Sequence, residues 1–88
     1  MIKVTTEHGT FYLIDMDRQI AKRVKGEGRN EMYHDGEWWD FYDVFAYDRV
    51  ENKRLGDISI GHDMFFKTGY GMYDWRISTS VVSIEEIE

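Results

Sequence analysis

Eighty-eight residues, 42% hydrophobic and 16% aromatic, read as one domain over 1–88 with too many aromatics for a disordered chain. No cysteine is present, which excludes disulfides, thiol nucleophiles and cysteine zinc sites, and no proline is present, which excludes Pro-rich ligand segments. The net charge of −6 is opposite in sign to that of duplex nucleic-acid binders, whose affinity comes from phosphate neutralisation. No apolar run reaches the roughly 18 residues of a membrane helix, and no signal-peptide pattern opens the chain, so a cytoplasmic protein with no membrane contact is expected.

Met1-Ile2-Lys3-Val4-Thr5-Thr6 alternates as a half-buried strand, with Ile2 and Val4 on one face. Glu7-His8-Gly9 turns the chain, and Thr10-Phe11-Tyr12-Leu13-Ile14 returns it as the second arm of a hairpin. Asp15-Met16-Asp17 ends that arm. Arg18–Val24 reads as a third strand, with a helical turn and a half as the alternative. Lys25–Asn30 is a loop carrying two glycines. Asp35-Gly36, between aromatic flanks, has the signature of a type I′ hairpin with positive φ at both residues, which would place Tyr33 and His34 near Glu37 and Trp38.

Trp38–Tyr47 is ambiguous between helix and strand. Its aromatic and β-branched content favours one strand, with Trp39, Phe41, Phe45 and Tyr47 sharing a face. Asp48–Gly56 is a charged connection, and Asp57-Ile58-Ser59-Ile60 alternates as a short strand. Gly61-His62-Asp63 turns, Met64-Phe65-Phe66 is a short apolar strand, and Lys67–Gly71 is a second glycine-rich loop. Trp75–Ile84 reads as the last strand, followed by the acidic tail Glu85-Glu86-Ile87-Glu88. The fold class expected is mainly β: a small antiparallel barrel or curved sheet with at most one short helix.

Three stretches carry a resemblance: Lys3–Tyr12, His34-Asp35-Gly36-Glu37-Trp38 and Ser78–Glu86. They resemble small uncharacterised proteins encoded by actinobacteriophages. The resemblance implies a phage accessory protein acting in the host bacterial cytoplasm, and it brings no catalytic residues with it.

The chemistry-bearing residues are sparse. His8, His34 and His62 all fall at turns, without His-x-His or His-x3-His spacing, so no metal site is expected. No nucleophile elbow and no phosphate-binding glycine motif is present, and Asp40 and Asp43 fall on opposite faces of a strand, so no enzyme and no cofactor are expected. Charge is more informative. Arg18, Lys22, Arg23, Lys25 and Arg29 make a basic segment, whereas Glu31, Asp35, Glu37, Asp40, Asp43 and Asp48 follow without one Lys or Arg. The plain reading is that the two segments neutralise each other across strands.

Three functional readings stand beside it. In the first, a non-catalytic binding protein of the anti-defence kind captures a small anionic, nucleotide-like ligand with Arg23, Arg29, Arg76 and Trp38. In the second, an acidic inhibitor or nucleic-acid mimic docks on a host protein through Asp40, Asp43, Asp48 and Tyr42. The third is a virion or assembly component. Trp38 and Trp39 are adjacent, so on a strand one of them needs a cover: a partner, a long side chain, or a second copy of the chain in a homodimer.

Overall fold

The computed structural model describes residues 1–32, 34–70 and 73–87, with Tyr70 and Tyr73 described by their backbone alone. It is mainly β. The described strands are β1 (Ile2–Thr6), β2 (Phe11–Asp15), β3 (Ile20–Val24), β4 (Trp38–Asp40), β5 (Asp43–Asp48), β6 (Lys53–Gly56), β7 (Asp63–Tyr70), β8 (Tyr73–Ile77) and β9 (Val81–Glu86). One 3-10 turn at Glu7–Gly9 is the only helical element among the described residues. The strands form two antiparallel sheets, β4-β3-β2-β1-β9 and β6-β5-β7-β8, and not a closed barrel.

The first sheet grows from the β1–β2 hairpin, which pairs Val4 with Tyr12 and Ile2 with Ile14. Pleating sends Val4, Tyr12 and Ile14 inward to join Ala21 of β3 and Trp39 of β4. The second sheet supplies Val44, Met64 and Phe66 to the same core. Phe66 is completely buried and central. Its ring lies 5.4 Å from Tyr12, 5.0 Å from Trp39 and 5.5 Å from Phe41.

The chain changes sheet at two corners. At the first, the Phe41 N–H donates to the Gln19 carbonyl at 3.0 Å, while the next N–H, that of Tyr42, donates to the Lys67 carbonyl at 2.9 Å. Trp38–Tyr47 is therefore two strands in two sheets and not one. Trp39 and Phe41 enter the core, whereas Phe45 and Tyr47 face outward from the second sheet. At the second corner the Ser78 N–H donates to Met64 of β7, and the Glu7 N–H donates to Ser80. The expected long strand Trp75–Ile84 is accordingly divided into β8 and β9.

Other boundaries differ for local reasons. The Asp15 carboxylate accepts the N–H groups of Asp17 and Arg18, both at 3.1 Å, so the turn persists and β3 begins at Ile20. Asp57–Ile60 makes no strand. Ile58 packs on the core from a loop, and the alternation there has no neighbouring strand to pair with. β7 runs eight residues, through the expected loop at Lys67-Thr68-Gly69. Glu85 and Glu86 belong to β9 and are not a free tail.

Asp35-Gly36 is not a type I′ hairpin. Positive φ falls on His34 (65°) and Gly36 (76°) and not on Asp35, and no described residue between the end of β3 at Val24 and the turn belongs to a strand. Tyr33, Gly71 and Glu88, and the side chains of Tyr70 and Tyr73, lie outside the described residues. At Gly36 an added Cβ would meet nothing within 4 Å, so only its φ penalises substitution. Gly36→Val is expected to cost about 1–3 kcal/mol, read as a lower urea midpoint, because a β-branched residue is strained in that region. Gly26 is different: a Cβ there would lie 2.5 Å from the His8 carbonyl oxygen, so the backbones themselves touch.

Candidate functional site

The period-two alternation of β5, β7 and β8 places Phe45 and Tyr47, Phe65 and Lys67, and Trp75 and Ile77 on the outer face of the second sheet. The cross-strand pairs Phe45↔Phe65 and Lys67↔Trp75 align them into a continuous floor. Phe45 and Phe65 stack at 5.1 Å and 10°, and Phe65 and Trp75 at 5.6 Å and 18°. Tyr47 leans on Phe65 at 5.0 Å. Trp75 remains 54% exposed, so one large ring stays available for stacking.

Arg49, Asn52 and Arg54 reach this floor from the β5–β6 hairpin and form its wall, leaving an open groove of about 610 Å³. The Arg54 guanidinium lies 4.3 Å from the Phe45 ring centre and 2.8 Å from the Asp43 carboxylate. Arg49 holds Asp63 at 2.9 Å and donates to the Ser78 carbonyl at 2.9 Å. Lys67 has no ion pair among the described residues. Among the described residues three cations therefore face two carboxylates here, which makes the groove locally basic on an acidic chain.

The expected ligand residues do not meet in one place. Trp38 is exposed on the outer face of the first sheet, with Lys22 4.9 Å from its ring. Arg23 lies on the opposite, inner face, paired to Asp35 at 2.5 Å. Arg76 also points inward, 4.6 Å from the Trp39 ring and 3.9 Å from Asp35. Arg23 and Arg29 do line a common small cavity with Tyr12. Burial pushes the Tyr12 phenol above its ordinary pKa, although Arg23 and Arg76 pull the other way.

The acidic ridge is not a single field. Asp35 is buried against Arg23, and Asp43 is taken by Arg54. Asp48 accepts the Val50 and Glu51 N–H groups at 2.9 and 3.2 Å, and Glu37 holds His34 at 2.8 Å. Asp40 stays exposed on β4, and Tyr42 is exposed beside Gly69. Neutralisation between the basic and acidic segments is thus realised at Arg23–Asp35.

His8 and His34 adopt positive φ in separate turns, and His62 meets the Ser59 hydroxyl at 3.0 Å. No group of three or more His, Asp or Glu among the described residues is placed to hold a metal ion. No described helix is long and apolar enough to cross a membrane.

Sequence reasoning missed the groove's Arg49, Arg54 and Lys67, since the first two fell in a charged connection and the third in a glycine loop. The signal was present in the alternation Asp63-Phe65-Lys67, which continues across Met64-Phe65-Phe66. No family model, curated protein or solved structure matches the chain.

Proposed function

We propose that the protein is a non-catalytic binding protein that captures a small anionic, nucleotide-like ligand on the outer face of its second sheet. The observation that carries this reading is the stacked Phe45–Phe65–Trp75 floor with Arg49, Arg54 and Lys67 around it. A planar base stacks on an exposed ring whatever its edge pattern, for about 1–3 kcal/mol per base. The cations take the phosphate, and a groove of about 610 Å³ is of the size that holds a small molecule. The chain's overall charge of −6 disfavours long polyanions, which the acidic surface beyond the groove's rim would repel. Together with the resemblance to actinobacteriophage proteins, this supports a phage accessory role in which a host nucleotide signal is sequestered in the bacterial cytoplasm.

The test is isothermal titration with adenosine and guanosine monophosphates and a dinucleotide. Trp75→Ala and Lys67→Glu should each weaken binding at least tenfold, and the affinity should fall with added salt because exposed charges are screened over about 8–10 Å. No binding by the parent protein, or binding unchanged in both variants, would remove the proposal.

A further inference from the structure

We infer that a second cavity, where Thr10, Tyr12, Arg23 and Arg29 converge, is a separate binding site for a tetrahedral oxyanion of the phosphate and sulfate class. The cavity has a volume of about 100 Å³, room for roughly three waters or one such anion. Among the described residues its lining contains no carboxylate, although the chain has 17 Asp and Glu; the nearest partner of a lining cation is Asp35, which pairs with Arg23 from outside the lining.

Hydrogen-bond accounting gives the cavity its sign. The Thr6 hydroxyl is spent on the Thr10 carbonyl at 3.0 Å. The Ser78 hydroxyl is spent too, accepting from the Met64 N–H at 2.9 Å and donating to the Thr79 carbonyl at 2.7 Å. Thr10 and Tyr12 are not spent. The Thr10 hydroxyl accepts the Gly26 N–H at 2.9 Å, which leaves its own proton to donate. The Tyr12 phenol is buried and keeps its proton, since burial raises its pKa, so it too can donate. Arg23 is only 8% exposed at its side chain, and its Nε–H is buried with no acceptor. A buried donor left unmet is costly; the one unmet acceptor nearby, Asp35 Oδ1, belongs to the Arg23–Asp35 ion pair and is not among the residues that line the cavity.

The loop delivers the remaining cation. Gly26 sits against the His8–Thr10 backbone, where no larger residue fits, and the Arg29 N–H closes a turn onto the Gly26 carbonyl at 3.1 Å. That turn brings the Arg29 side chain to the cavity, and Arg29 has no ion pair among the described residues. Arginine donors in a fixed fork suit an oxyanion better than a spherical halide. Ile77 lies in the linings of both cavity and groove, so the two are neighbours, but the oxyanion site does not depend on the groove being occupied.

The experiment titrates the full chain with sodium phosphate and, separately, sodium sulfate. Sodium chloride at equal ionic strength is the control, and the readouts are calorimetry and the melting temperature. Saturable binding with a rise in melting temperature above the chloride control is expected. Arg29→Gln, at an exposed position, should weaken it at least tenfold. Tyr12→Phe, which removes only the hydroxyl, should weaken it severalfold. Trp75→Ala should leave it unchanged, so failure of the groove reading would not be mistaken for failure of this one. The inference is overturned if phosphate and sulfate act no differently from chloride, if Arg29→Gln binds as the parent does, or if Trp75→Ala abolishes the effect.

Discussion

Asp35→Ala should destabilise the folded chain by about 3–5 kcal/mol, the range for removing one partner of a buried ion pair. Its carboxylate is 5% exposed and faces Arg23 and Arg76, whose side chains are 8% and 10% exposed. With the carboxylate gone, two guanidinium groups stay inside the sandwich with the burial cost of their charge and less to offset it. The Met32 N–H, 2.8 Å from the same carboxylate, loses its acceptor as well. Since a domain of this size holds only about 5–15 kcal/mol in total, urea unfolding followed by tryptophan fluorescence should show a large fall in midpoint. The double variant Arg23→Met with Asp35→Leu should recover part of the loss, because it removes both charges. A cost under about 1 kcal/mol for Asp35→Ala would mean that the carboxylate sits in water, as surface ion pairs do.

Phe66→Ala should cost a similar amount, about 3–5 kcal/mol, by a different mechanism. The ring has no exposure and touches Tyr12, Trp39 and Phe41, so it joins the second sheet to the two strands and the corner of the first. Truncation removes the transfer energy of the ring and leaves a cavity between sheets that backbone pairing holds apart. Phe66→Leu, which keeps most of the volume, should cost clearly less. Thermal melts of the pair measure this. Equal and small losses in both would show that the two sheets do not meet at Phe66.

Local pattern identified the elements it controls. The β1–β2 hairpin was legible because Ile2, Val4, Tyr12 and Ile14 alternate around a glycine turn. The loop after Val24 was legible from its glycines. What alternation does not carry is the sheet to which a strand belongs. Trp39, Phe41, Phe45 and Tyr47 keep period two on both sides of a corner, yet the backbone partner changes from Gln19 to Lys67 within two residues. Ser78–Ser80 hides the second corner in the same way, within a run of residues that suit strands throughout. At Asp35-Gly36 the signature was overridden by tertiary structure, because Asp35 folds inward to Arg23 and the turn takes its positive φ at His34 and Gly36.

The groove was only half legible. Phe45 and Tyr47 share a face by spacing, and so do Trp75 and Ile77, but their convergence depends on β7 lying between β5 and β8. The surplus of aromatics had pointed to a covered interface. It resolves into two clusters, one around Phe66 in the core and one around Phe65 on the outer face. Arg54 accounts for the low exposure of Phe45, since its guanidinium lies across the ring.

The most direct test of ligand capture on the second sheet is a two-dimensional amide and tryptophan side-chain NMR titration with adenosine monophosphate. Binding in the groove predicts saturable shifts confined to β5, β7, β8 and the Arg49–Arg54 hairpin, with the Trp75 indole signal moving most and those of Trp38 and Trp39 staying in place. Shifts centred instead on Trp38, Asp40 and Tyr42, or no shifts at millimolar nucleotide, would contradict it.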